Sequence, residues 1–229
     1  MKNILPVILV LALVIICGIV LVSNSSDSTP QGTSIVLSTE SNEQTTALAT
    51  KLIVGEPSAK ATIVEYMDYK CPSCNQFHRT VGEEINEAYV NEGKANFEIR
   101  ITPVIGPDSA NAARGAYCAN DQGAFEPYNT AVFDYMDDNY YAAGNFSAEF
   151  DNILTVDVLS TIASDIGIDA EMFASCTDSD RFNANLDANL NAAADDSIQG
   201  TPGFAVGEQS FVGGQPFSVF KTLLDIELR

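Results

Sequence analysis

Basic residues are scarce in this chain: 11 Lys and Arg stand against 31 Asp and Glu, giving a formal net charge of −20. With no Lys/Arg cluster to neutralise phosphates, nucleic acid and anionic lipid surfaces are poor partners. Histidine occurs once, at position 78, and a single Cys-x-x-Cys is present, at Cys71 and Cys74. A closed structural zinc site takes four ligands, commonly two such knuckles or one knuckle plus a histidine pair. That supply is lacking, so no metal or cofactor is expected. No internal repeat is visible.

The first 46 residues lack a globular pattern. Residues Ile4 to Val22, "ILPVILVLALVIICGIVLV", run for 19 positions without a charge. At the helical rise this is about 28 Å, close to the roughly 30 Å hydrocarbon core of a bilayer. A cleaved secretory signal has an apolar stretch of only about 7–15 residues and a clear small-residue cleavage site. Residues 1–22 therefore read as an uncleaved signal anchor, with Lys2 on the cytoplasmic side and the body of the protein exported. Cys17 is preceded by Ile16 and followed by more apolar sequence, so it reads as a small apolar residue of that span rather than a lipidated cysteine. Residues 23–46 are rich in Ser, Thr, Asn and Gln, and read as a flexible stalk that buries too little to offset its ordering entropy.

The remaining ~180 residues suit one domain. "ATIVEYMDY" (61–69) reads as a strand feeding into Cys71, and Pro72 opens a helix that is expected to run to Gly93. "ANFEIRITPV" (95–104) reads as a second strand. From about 107 to 198 the chain is mainly helical, interrupted by "NYYAAGNFSAEF". "GFAVG" and "SFVGG" then form a hairpin around Gly207 and Glu208, followed by the helix "PFSVFKTLLDIEL". A βαβ unit, a helical insertion and a ββα unit make a coherent α/β layer arrangement.

Four cysteines lie beyond the apolar run: Cys71, Cys74, Cys118 and Cys176. An even number in an exported domain fits two disulfides. With Pro72 as the first helical residue, Cys71 becomes the N-cap and Cys74 lies one turn on. Free backbone N–H groups and the positive helix end favour a thiolate there, which marks Cys71 as nucleophile and Cys74 as the resolving cysteine. Redox cycling is favoured over metal binding by this strand–CPxC–helix context. A metal-binding or metallochaperone module using Cys71 and Cys74 is the alternative of a different class.

Three stretches together, "IVEYMDYKCPSCNQFH", "GAYCANDQGAFEPYNTAVF" and "GTPGFAVGEQSFVGGQPFSVFKTLLD", resemble the DsbA-like thiol–disulfide oxidoreductases of the thioredoxin superfamily. The resemblance runs from about Lys51 to Leu228. It implies an α/β thioredoxin-like fold with an inserted helical subdomain, here preceded by one transmembrane helix, over residues 47–229. It implies that Thr201 and Pro202 form a loop with a cis bond that binds substrate backbone beside the disulfide. It further implies that Glu65 relays the proton of Cys74. Strand alternation would put Glu65 on one face with Ile63 and Met67, and Asp68 on the other as a structural or exposed residue. Cys118 and Cys176 resemble the extra pair that ties two insertion helices together; two buried free thiols are the other reading. Ser73 replaces the histidine found between the cysteines of the best-known member, which implies a milder oxidant. His78 lies about two turns down the helix and reads as a packing or surface residue.

The expected function is oxidation of cysteine pairs in exported proteins by a membrane-anchored monomer with an extracytoplasmic catalytic domain. A quinone-linked membrane thiol oxidase is the implied partner that restores the disulfide. A reductase or isomerase of the same fold is the nearer alternative.

Overall fold

The computed structural model describes residues 50–229; the expected anchor and stalk lie outside them. Among the described residues no helix is long and apolar enough to cross a membrane.

Strand β1 (Leu52–Val54) precedes β2 (Ala61–Met67). Helices α1 (Pro72–His78) and α2 (Val81–Ile85), the latter continued by a π-helical turn over Asn86–Val90, lead to β3 (Ala95–Ile101). Five helices follow: α3 (Pro107–Asp121), α4 (Phe125–Met136), α5 (Val156–Asp165), α6 (Ala170–Thr177) and α7 (Asn183–Asp195). A π-helical turn (Asp137–Tyr141) and a 3-10 turn (Phe146–Phe150) separate α4 from α5. The hairpin β4 (Gly203–Val206) and β5 (Gln209–Val212) then leads into α8 (Phe217–Glu227). The sheet order is β1-β3-β2-β4-β5, with β2 and β3 parallel and the other pairs antiparallel.

β2 lies at the centre of the sheet, and apolar residues cover both of its faces. Ile63 and Met67 point into the main core with Phe77 of α1, Phe97 of β3 and Phe220 of α8. Phe204, opposite Glu65 in the β2–β4 register, lies tilted 4.5 Å from Phe77 and edge-on 5.0 Å from Phe220, ring centre to ring centre. On the other face Tyr66 packs with Ala193 and Ile198. Gly207 makes the two-residue hairpin turn at φ +57°, a conformation that costs glycine nothing.

The structure departs from the sequence reading in four places. Strand β1, paired with β3 at the sheet edge, was not expected. The helix expected over Pro72–Gly93 breaks at Arg79–Thr80. There the Thr80 hydroxyl donates to the Gln76 carbonyl at 2.7 Å, a back-bond that bends helices. Strand β2 stops at Met67 because Asp68 turns the chain, its carbonyl accepting from Cys71 N–H at 3.0 Å. Strand β3 stops at Ile101, since Val104 and Ile105 give their N–H groups to the Asp68 carboxylate, at 2.9 and 3.1 Å, instead of to a neighbouring strand.

Candidate active site

The site forms where the central strand hands over to α1. Cys71 has extended backbone (φ −79°, ψ 116°), and its Sγ accepts the N–H of Cys74 at 3.4 Å. Pro72 fills the first helical position, where no N–H is needed. Cys71 keeps 6% of its surface exposed, while Cys74 is fully buried. Both are thiols, and among the described residues no group of three or more His, Cys, Asp or Glu could hold a metal.

The two sulfurs titrate in opposite directions. A hydrogen bond with the Cys74 thiol, helped by Thr201 and by the N–H groups of Cys74 and Ser73, outweighs burial and lowers Cys71 to about 7. Burial pushes Cys74 well above the usual thiol range, and the neighbouring Cys71 and Glu65 push the same way. Ser73 is exposed and supplies only its backbone to this balance.

Antiparallel pairing of β2 with β4 carries the distant loop to the cysteines. Tyr66 faces Gly203, so Thr201 and Pro202 fall beside the end of β2. The bond between them is cis, and the Thr201 carbonyl lies 3.4 Å from Cys71 Sγ. Gly213 N–H donates to the Pro202 carbonyl at 2.7 Å and ties the loop to the end of β5.

Glu65 lies on the same face of β2 as Ile63 and Met67, with 4% of its surface exposed. Burial, and secondarily the charge of Cys71, raises its carboxyl to about 8. Asp68 on the opposite face is buried, not exposed. Besides Val104 and Ile105, it accepts from Lys70 N–H at 2.9 Å and from the Ser109 hydroxyl at 2.8 Å. Its role is to fix the loop that precedes Cys71.

Lys70 and Asp108 were not anticipated from the sequence. They form a buried ion pair with Nζ to Oδ1 at 2.7 Å, the two side chains being 1% and 2% exposed. Lys70 Nζ also donates to the Asp151 carbonyl at 2.8 Å. Asp108 accepts the N–H groups of Ile153 and Leu154 at 2.8 and 3.1 Å. The Tyr141 hydroxyl donates to the Lys70 carbonyl at 2.7 Å. Three separate parts of the helical insertion thus hold the residue next to Cys71. Burial pushes Asp108 upward, but Lys70 and the two N–H donors prevail and lower it.

Cys118 on α3 and Cys176 on α6 are joined by a disulfide. His78 packs edge-on against Phe133 and bonds Asn129 at 2.9 Å, with burial lowering it to about 4. Beside the exposed face of α1 runs a groove of about 490 Å³ lined by Pro72, Ser73, Gln76, Arg79, Tyr141 and Phe146. A dithiol with one low and one high pKa, at a helix N-terminus and beside the Thr201 carbonyl, can exchange a disulfide with an extended chain.

Comparison with known proteins agrees with this geometry. The family model described as Thioredoxin matches residues 47–226. A protein of Rickettsia prowazekii named "Putative protein-disulfide oxidoreductase" is 28% identical over 156 residues, covering 68% of this chain and 53% of the relative. The chain therefore spans about half the length of that relative. "Disulfide bond formation protein D" of Bacillus subtilis is 23% identical over 181 residues, covering 77% of each chain. The crystal structure of oxidised BdbD from Bacillus subtilis superposes with a TM-score of 0.68 at 22% identity, covering 78% of this chain and 92% of that one. Wolbachia pipientis alpha-DsbA1 superposes with a TM-score of 0.64 at 22% identity, covering 79% and 92%. At these identities the two structures share the fold.

Proposed function

Because the chain belongs to the thioredoxin family, we propose that it is a DsbA-like thiol–disulfide oxidoreductase that oxidises cysteine pairs in exported proteins through a Cys71–Cys74 disulfide. The observation that carries this reading is the asymmetry of the pair. Cys71 is the lower-pKa, reachable sulfur and has the Thr201 carbonyl beside it; Cys74 is buried and protonated. A substrate thiolate attacks Cys71 Sγ, the Cys71–Cys74 bond breaks, and Cys74 leaves as a thiolate that takes the proton of Glu65. The substrate's second thiolate then attacks its own mixed disulfide and releases Cys71 as the favoured thiolate. The Thr201 and Pro202 loop is the surface that receives the substrate backbone, and the Cys118–Cys176 bond serves structure.

The relatives' names and the apolar run over residues 4–22 support an extracytoplasmic domain anchored by that run, through the stalk at 23–46. A membrane thiol oxidase is the partner that would restore the disulfide. Thiolate stabilisation at Cys71 draws on Cys74, Thr201 and backbone N–H groups, without an imidazole at position 73, which fits a mild oxidant.

The deciding measurement is the reduction potential of the Cys71–Cys74 couple in the full-length protein. An oxidase should lie between about −230 and −120 mV, whereas a value at or below about −270 mV, that of thioredoxin, would make it a reductase. Cys71→Ser should abolish oxidation of a dithiol peptide.

A further inference from the structure

The face of the sheet turned away from the cysteines carries a polar chain that the exchange reaction does not use. Tyr66 is fully buried there against Ala193 and Ile198. Its hydroxyl is satisfied twice: it donates to Asp196 Oδ2 at 2.5 Å and accepts from Arg100 Nη1 at 2.6 Å. Arg100 is held in turn by Glu98, whose Oε1 accepts Nε at 2.8 Å and Nη2 at 2.7 Å. Strands β2 and β3 thus present one fixed hydroxyl to the end of α7.

Asp196 follows the last residue of α7, and the chain turns at once. Ser197 takes φ +60° and is the one non-glycine residue with positive φ among the described residues. That region is costly for a residue with a Cβ and persists only where surrounding contacts impose it. Ser197 N–H donates to the Ala194 carbonyl at 3.0 Å and Ile198 N–H to the Ala193 carbonyl at 2.8 Å, which closes the helix. Ile198 then lies directly on Gly203, where a Cβ would come 2.2 Å from its Cγ2.

Between Ile198 and Gly203 the chain has little support of its own. Gln199, Gly200 and Thr201 form no backbone–backbone hydrogen bond. Their path is therefore set by the two ends: the close of α7, tied to Tyr66, and β4, paired with β2. One strand thereby governs both sides of the 3.4 Å contact between Cys71 Sγ and the Thr201 carbonyl. β2 leads directly towards Cys71, and its Tyr66 hydroxyl holds the helix end that leads into Thr201.

We propose that Tyr66, Asp196 and Arg100 are positioning residues of the candidate site: their hydrogen-bonded chain holds the end of α7 so that Thr201 and Pro202 receive a protein substrate in register with Cys71. The proposal rests on the reading of that loop as the surface for substrate backbone. The three residues act through the loop and do not touch the sulfurs. A dithiol too small to lie along the loop should not sense them.

The test compares two reductants of the Cys71–Cys74 disulfide in the full-length oxidised protein by stopped flow. One is a dithiol peptide, the other dithiothreitol; each is oxidised to its disulfide as Cys71 and Cys74 become thiols. Tyr66→Phe keeps the ring against Ala193 and Ile198 and removes only the hydroxyl. It should slow the peptide about tenfold, the effect of one lost hydrogen bond to a charged group, and leave the dithiothreitol rate unchanged. Asp196→Ala should do the same, and Asp196→Asn, which keeps an acceptor, should recover most of the loss. Asp196 keeps 38% of its side chain exposed, so its replacement tests the chain even where Tyr66→Phe fails to fold. Peptide rates equal to wild type in Tyr66→Phe and Asp196→Ala, or equal slowing of both reductants, would overturn the positioning role. A wild-type protein that reacts with dithiothreitol but not with the peptide would instead remove the loop's reading as a substrate surface, and the proposal with it.

Discussion

A carboxyl held at about 8 inside a folded domain must leave a mark on stability, and Glu65 provides the sharpest test of the site's electrostatics. In the unfolded chain it ionises near its ordinary value of 4.5, whereas the folded protein retains the proton until about 8. Each tenfold step in a proton equilibrium is about 1.4 kcal/mol, so charging Glu65 in place costs at most about 5 kcal/mol. The folded state binds more protons than the unfolded state between these two values, so its stability falls as pH rises through that window. Below pH 4.5 the contribution is fully present; above pH 8 it is lost. Glu65→Gln cannot ionise and removes this slope. Urea unfolding of the oxidised protein, with both disulfides closed, is the appropriate assay. Oxidation removes the lesser cause, the Cys71 charge, and retains burial, the larger one. The variant should gain on the wild type by a few kcal/mol between pH 4.5 and 8, a large share of the 5–15 kcal/mol typical of a domain. Parallel stability–pH curves would show that Glu65 is solvated in the folded protein and would refute its buried, proton-holding state.

Three other outcomes are expected. Iodoacetamide should label Cys71 of the reduced protein at a rate that rises through pH 7 as its thiol ionises, while Cys74 stays unlabelled up to pH 9; peptide mass spectrometry reads both. Asp108→Ala strands the buried Lys70 ammonium and should cost about 3–5 kcal/mol in urea unfolding, whereas the double change Lys70→Met, Asp108→Leu should cost less than the single one. Replacing Cys118 and Cys176 by serine opens a loop set by a 58-residue separation and should cost about 4 kcal/mol, with the exchange activity of Cys71 retained below the lowered melting point.

The parts of this fold that were legible in the sequence are those fixed by near neighbours. Pro72 after Cys71 dictates the helix start, and Gly207 with Glu208 dictates the hairpin. Alternation along 61–67 was enough to place Glu65 with Ile63 and Met67. The features that escaped notice depend on partners far along the chain. β1 is three residues long and exists because β3 offers an unpaired edge. Lys70 and Asp108 are 38 positions apart, and Asp151 is 81 from Lys70; neither side chain carries a local pattern that announces a buried pair. The one clue that the sequence carries is Lys70 itself: a charge next to a buried cysteine needs a carboxylate partner.

The sheet order has a kinetic meaning as well as a static one. Cys71 and the Thr201 carbonyl beside it are 130 residues apart, and the insertion occupies most of that distance. A chain made from its N-terminus presents β2, α1 and both cysteines of the pair long before β4 exists to flank them. Joining β4 to β2 closes a very long loop, and contacts of such range form late and slowly. The oxidoreductase therefore completes its candidate site late: its cysteines emerge unshielded, and the loop that comes to lie beside them is among the last parts to assemble.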